Sequence, residues 1–128
     1  MTTETTEKWE RILLFYRELI DKYGWQQEPM LEFSAWLSTS KNAEFVFPST
    51  SLAALGLSTV ELYEERLQRP MVYIDYVSQQ HRFVIHWQRG QGDEVFQETV
   101  ESPQAPDVFS RILSWIGVTE ANRSSVSQ

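Results

Sequence analysis

Apolar residues recur at three- and four-residue steps near the start of the chain: Trp9, Ile12, Leu13, Tyr16, Leu19, Ile20 and Tyr23. That spacing gathers them on one stripe of a helix. Thr5 or Thr6 caps its start and Gly24 stops it. Leu14 breaks the pattern, because it shares the polar side with Glu7, Arg11, Glu18 and Asp21. The unbroken apolar run Ile12 to Tyr16 covers nearly the whole circumference. A loop or a second chain is therefore expected against this helix. A second helix is expected from Glu28 and Pro29 to about Leu37, with the proline in the first turn where its missing N–H costs nothing. Residues 38–42 form a polar loop, and 44–47 are a short apolar piece ended by Pro48. Ser49 to Leu55 reads as a helical turn stopped by Gly56. Ser58-Thr59-Val60-Glu61 has the form of a capping box. It predicts a helix to Arg69, with Val60, Tyr63 and Leu67 inside and Glu61, Glu64 and Glu65 outside.

The period then changes from helical to alternating. Met71 to Val77 and Arg82 to Trp87 are rich in β-branched and aromatic residues and read as a hairpin. In the register with Val72 opposite Trp87, Ile74 opposite Ile85 and Tyr76 opposite Phe83, one face is wholly apolar. The other face carries Tyr73 opposite His86, Asp75 opposite Val84 and Val77 opposite Arg82. A slip of one residue would mix the faces, so the alternation itself selects this register. Arg89 to Asp93 is a second turn. Glu94 to Glu101 is a third strand, polar enough for an edge. Its register is open, with Phe96 beside either Trp87 or His86. A last helix runs from Asp107 to Ile116 with Val108, Phe109, Ile112 and Ile116 inward, and Gly117 stops it. The fold expected is α+β: a three- to four-stranded antiparallel meander packed on one face by the N- and C-terminal helices. One domain spans 6–117, followed by a disordered tail over 118–128.

Composition agrees with a packed domain. The chain has 128 residues, 41% hydrophobic and 13% aromatic, far from the profile of a disordered segment. It has no cysteine, which removes disulfides, thiolate metal sites and cysteine nucleophiles. The formal net charge of -7 is the wrong sign for binding nucleic acid through phosphates or an anionic lipid surface. It suits a basic protein partner. Residues 1–10 are polar and acidic, unlike a signal peptide, so a cytoplasmic protein is expected.

Candidate chemistry is sparse. His81 and His86 are an odd number of residues apart in the hairpin, so they point to opposite faces and share no metal ion. Neither metal nor cofactor is expected. Gly90-Gln91-Gly92 precedes two carboxylates and a strand, not the helix that a phosphate loop requires. No serine lies in a Gly-x-Ser-x-Gly elbow, so no catalytic residue is assigned. The sharpest constellation is Tyr73, Asp75, Arg82 and His86 on the outer face of the hairpin, where a carboxylate lies diagonal to an imidazole. With Leu14, Glu61, Glu64 and Glu65 it makes up the expected partner-binding set. The layout is shared by many small bacterial proteins, several toxin-immunity and phage-encoded inhibitor types among them, without a common motif. The function expected is a non-enzymatic inhibitor, immunity-type or adaptor protein that occludes a protein partner. Two alternatives stand beside it. One is a homo-oligomer joined through the first helix. The other is a small enzyme or ligand-binding domain using the outer hairpin face.

Overall fold

A computed structural model describes residues 3–118. The chain order is α1 (Thr3–Asp21), α2 (Glu28–Ser38), a 3-10 turn (Ala43–Phe45), β1 (Phe47–Ser51), β2 (Ala54–Ser58), α3 (Tyr63–Arg66), β3 (Met71–Val77), β4 (Arg82–Gln88), β5 (Glu94–Val100) and α4 (Pro106–Ile116). The strands form one antiparallel sheet in the order β1-β2-β3-β4-β5. The architecture is thus the α+β meander expected, with five strands rather than three or four. No helix of the described residues is long and apolar enough to cross a membrane.

The β3–β4 hairpin has the register the alternation selects, from Met71 opposite Gln88 to Val77 opposite Arg82. Its turn takes the four residues 78–81, and His81 occupies the left-handed region at φ 52°. Tyr76 Oη lies 3.3 Å from His81 Nδ1. The positive φ usually given to Gly or Asn thus falls to a histidine. The inner face brings Val72, Ile74, Ile85 and Trp87 into one core with the helices.

Helix α1 buries Trp9, Ile12, Tyr16 and Leu19. Two of these also anchor it by their polar tips. Trp9 Nε1 donates to Ala43 O at 3.2 Å, and Tyr16 Oη donates to Ala53 O at 2.9 Å. α2 packs along α1, which accounts for much of the run Ile12 to Tyr16. Leu14 remains exposed, and Tyr23, expected on the inner stripe, is exposed too. At the end of α4, Gly117 takes φ 95°. Val118 N–H reaches Leu113 O at 2.8 Å and Gly117 N–H reaches Ser114 O at 3.2 Å. This is a Schellman motif, whose apolar residue after the glycine folds back onto the helix. Val118, assigned to the tail by sequence, is accordingly buried. The rest of that tail, 119–128, lies outside the described residues.

Two expectations fail. Ser49–Leu55 is no helical turn: β1 and β2 form a hairpin with Ser49 opposite Gly56. Gly56 is a point of close approach. A Cβ there would lie 2.6 Å from both Ser49 Oγ and Tyr73 Cε1. Nor does the capping box start a helix. Ser58 ends β2, and its hydroxyl donates to Val60 O at 2.7 Å and accepts Val60 N–H at 3.3 Å. With that oxygen engaged one residue short of Glu61, the helix shrinks to the four residues of α3, preceded by Leu62.

Candidate functional site

Three surface features emerge, and the expected binding residues divide among them. The first is the outer face of the sheet. His86 on β4 bridges two carboxylates: Nε2 lies 3.3 Å from Asp75 Oδ2 on β3, and Nδ1 lies 2.6 Å from Glu94 Oε1 on β5. A β-bulge makes the second contact. Trp87 faces Phe96, but Gln88 faces Glu94, so Val95 is an extra residue on β5. Regular alternation would send Glu94 to the same face as Phe96. The bulge re-aims it across the sheet onto His86. With a proton on each nitrogen the imidazole donates to both carboxylates, tying three strands together. Arg82 joins the same face through Glu101 at 3.4 Å. Tyr73 does not take part: it is buried with Ala54 and Met71, its ring lying across Gly56. Asp75 and His86 line a shallow, open depression with Gln27 and Gln97. Among the described residues, no group of three or more His, Cys, Asp or Glu is placed to hold a metal ion.

The second feature is the segment around α3. Of the stripe expected inside, Val60 is half-buried, but Tyr63 is 54% exposed and Leu67 46%, and Leu62 beside them is 59% exposed. Glu61, Glu64 and Glu65 are exposed among them. The segment is pinned to the β4–β5 turn. Arg66 Nε donates to Gln91 Oε1 at 2.9 Å, and Gln91 N–H donates to Arg66 O at 2.9 Å. Arg66 Nη1 also donates to Glu61 O at 2.8 Å. Gly90 makes this docking possible, since a Cβ there would lie 2.1 Å from Leu67 O. Glu61 also lines a polar cavity of about 250 Å³ with Glu4, Lys8 and Glu44. The Lys8 ammonium lies 3.7 Å from the centre of the Phe47 ring. Burial pulls its pKa below the ordinary lysine value, and Glu61 and Glu44 oppose that shift.

The third feature was not foreseen. Trp87, Phe96 and Trp115 wall an open cleft of about 410 Å³ with Arg111 and Ser114. Trp87 and Phe96 stack at 5.7 Å, and Trp115 meets Trp87 edge-on at 5.6 Å. Trp115 Nε1 donates to Gln88 O at 2.8 Å and Met71 O at 3.2 Å, fixing its ring. Arg111 lies over Trp87 and pairs with Glu98 through two bonds of 2.9 and 3.1 Å. The alternation of the third strand leaves Phe96 with two registers, and Trp115 is not among the expected inward residues of the last helix. The signal available was the four-residue step from Arg111 to Trp115, which places both on one side of α4.

No family model, no curated protein and no solved structure matches this chain.

Proposed function

We propose that this is a non-enzymatic protein-binding domain that acts by covering the surface of a basic protein partner. One observation carries the reading. Leu62, Tyr63 and Leu67 stand exposed among Glu61, Glu64 and Glu65 on a segment docked to the rigid sheet. Exposed aromatic and aliphatic side chains supply contact area, and a docked segment loses little conformational entropy on binding. The glutamates, on a chain of net charge -7, supply steering toward positive charge. The inhibitor, immunity-type and adaptor roles all use this mechanism of steric occlusion. A cytoplasmic setting is part of the same proposal.

The test is site-specific photocrosslinking in the native host. A benzophenone side chain at position 63 is expected to capture a basic protein, and Glu64→Lys with Glu65→Lys is expected to abolish the adduct. A probe at Glu32 on α2 serves as the control. Equal adducts at both positions, or an adduct that survives the charge reversal, would refute the assignment.

A further inference from the structure

The aromatic cleft is built on fixed walls. Phe96 and Glu98 stand on the same side of β5, opposite Trp87 and Ile85, and α4 lies on that side. Trp87 is buried in the core, and Trp115 is held by its indole N–H. Phe96 beside them is 47% exposed. Rings already fixed in place lose little freedom when a ligand enters. The chain itself shows what they hold. The Arg111 guanidinium lies 5.5 Å from the centre of the Trp87 ring and forks onto Glu98 with bonds of 2.9 and 3.1 Å. A ring face beside a carboxylate that accepts two parallel bonds is the environment that recognises a guanidinium. This internal pair is open to water, with 46% of the Arg111 side chain and 32% of the Glu98 side chain exposed. An exposed pair of this kind shifts an equilibrium by about fivefold or less. A competing guanidinium can therefore displace Arg111.

We propose that the cleft walled by Trp87, Phe96 and Trp115 receives an arginine side chain of the basic partner, and that Arg111 is an internal plug which the incoming guanidinium displaces from Glu98. The identity of the occupant rests on the reading of a basic partner given above; the site rests on its own geometry. Arginine is favoured over lysine by the fork, because a guanidinium supplies two parallel donors in one plane and an ammonium does not. The cleft keeps about 410 Å³ with Arg111 in place, so a side chain can enter before the plug leaves. Asp107, one turn earlier on α4, already attracts Arg111 and offers the displaced guanidinium a second carboxylate.

The test is a titration of the full chain with acetyl-Gly-Arg-Gly-amide, followed at the indole N–H resonances of Trp87 and Trp115. The same peptide with citrulline, alike in shape but uncharged, and with lysine are the controls. The arginine peptide is expected to shift both resonances, the lysine peptide less, and the citrulline peptide not at all. Arg111→Ala vacates Glu98 and is expected to bind the arginine peptide up to about fivefold tighter than the wild type. Adding Glu98→Gln should remove that gain, and Phe96→Leu in the Arg111→Ala chain should weaken binding by about two- to fivefold. The three side chains are part-exposed, and circular dichroism checks that each variant keeps its fold. Citrulline or lysine peptides that bind as well as arginine, an Arg111→Ala chain that binds no better than the wild type, or equal shifts at the exposed Trp25 would each overturn the proposal. No partner protein enters this titration, so its failure leaves the photocrosslink at Tyr63 standing, and loss of that photocrosslink leaves the titration standing.

Discussion

Gly90→Ala tests the docking of the α3 segment most directly. Gly90 is absent from the positive-φ residues of the chain, so alanine introduces no left-handed strain. The effect is steric. A new Cβ would lie 2.1 Å from Leu67 O and 2.7 Å from Leu67 C. Both obstacles are backbone atoms, which cannot rotate away as a side-chain tip can. The α3 segment must therefore lift from the β4–β5 turn. Lifting breaks the bond from Gln91 N–H to Arg66 O and the bond from Arg66 Nε to Gln91 Oε1, each 2.9 Å long. At about 0.5–1.5 kcal/mol for each hydrogen bond, the loss is about 1–3 kcal/mol. It should be local, because the segment buries little and the core lies elsewhere.

Native-state hydrogen exchange provides the assay. The Gln91 amide is expected to lose protection by about 5- to 150-fold, the equivalent of that energy, while the β3 and β4 amides hold theirs. Gly92→Ala is the control. Gly92 has φ 86° and open space around it, so alanine there costs about 1 kcal/mol of backbone strain and leaves the Arg66–Gln91 contact alone. Unchanged Gln91 protection in Gly90→Ala would show that the close approach does not hold the segment.

Tyr16→Phe removes the bond to Ala53 O and is expected to cost about 1–2 kcal/mol in urea unfolding at neutral pH. The same variant tests a pH effect. Burial, reinforced by Asp75, raises the Tyr16 pKa above the ordinary phenol value. Its contribution is therefore complete below about pH 10 and lost as pH rises beyond it; the variant should show a shallower alkaline decline. Ser34→Ala has the opposite sign. The Ser34 hydroxyl is buried with no hydrogen-bond partner, so alanine is expected to raise stability by about 1 kcal/mol, read as an increase in Tm. His86→Ala leaves Asp75 and Glu94 without their shared imidazole. Because the three side chains are part-exposed, the expected cost is about 1 kcal/mol or less in urea unfolding; a loss above about 3 kcal/mol would show that this bridge is far more than an exposed ion pair.

Legibility from sequence followed how many elements had to agree. The β3–β4 register was legible because three of its seven residue pairs, Val72 with Trp87, Ile74 with Ile85 and Tyr76 with Phe83, make one wholly apolar face, while every polar residue falls on the other. A slip would cost the whole core contact, so the pattern carries the answer by itself. β1–β2 was not legible. β1 is a polar edge with a proline, and Gly56 has the appearance of a helix stop. Its reason for being glycine is Tyr73, seventeen residues away in sequence and adjacent in space. The capping box failed for a related reason. Ser58 is drawn into β2 opposite Phe47, and a sheet pairing outweighs a local cap worth about 1 kcal/mol. The β5 register stayed open because a bulge has no sequence signature here, yet it alone brings Glu94 to His86.

These failures bear on the candidate surface. Had the capping box held, a longer helix would have turned Val60, Tyr63 and Leu67 inward and left a charged face of little binding interest. Because Ser58 belongs to the sheet, the chain between β2 and β3 has too few helical residues to present one buried stripe. Its apolar side chains stay beside its glutamates on the exterior. The pairing that defeats the local helix signal is thus also what creates the exposed apolar and acidic surface. A variant that restores the helix, with Phe47 and Pro48 changed to weaken the β1 partner of Ser58, should lose that surface. The expected readout is added helical signal in circular dichroism together with a weaker crosslink at position 63. A gain of helix without loss of the crosslink would separate the two and refute the link between Ser58's strand pairing and the binding face.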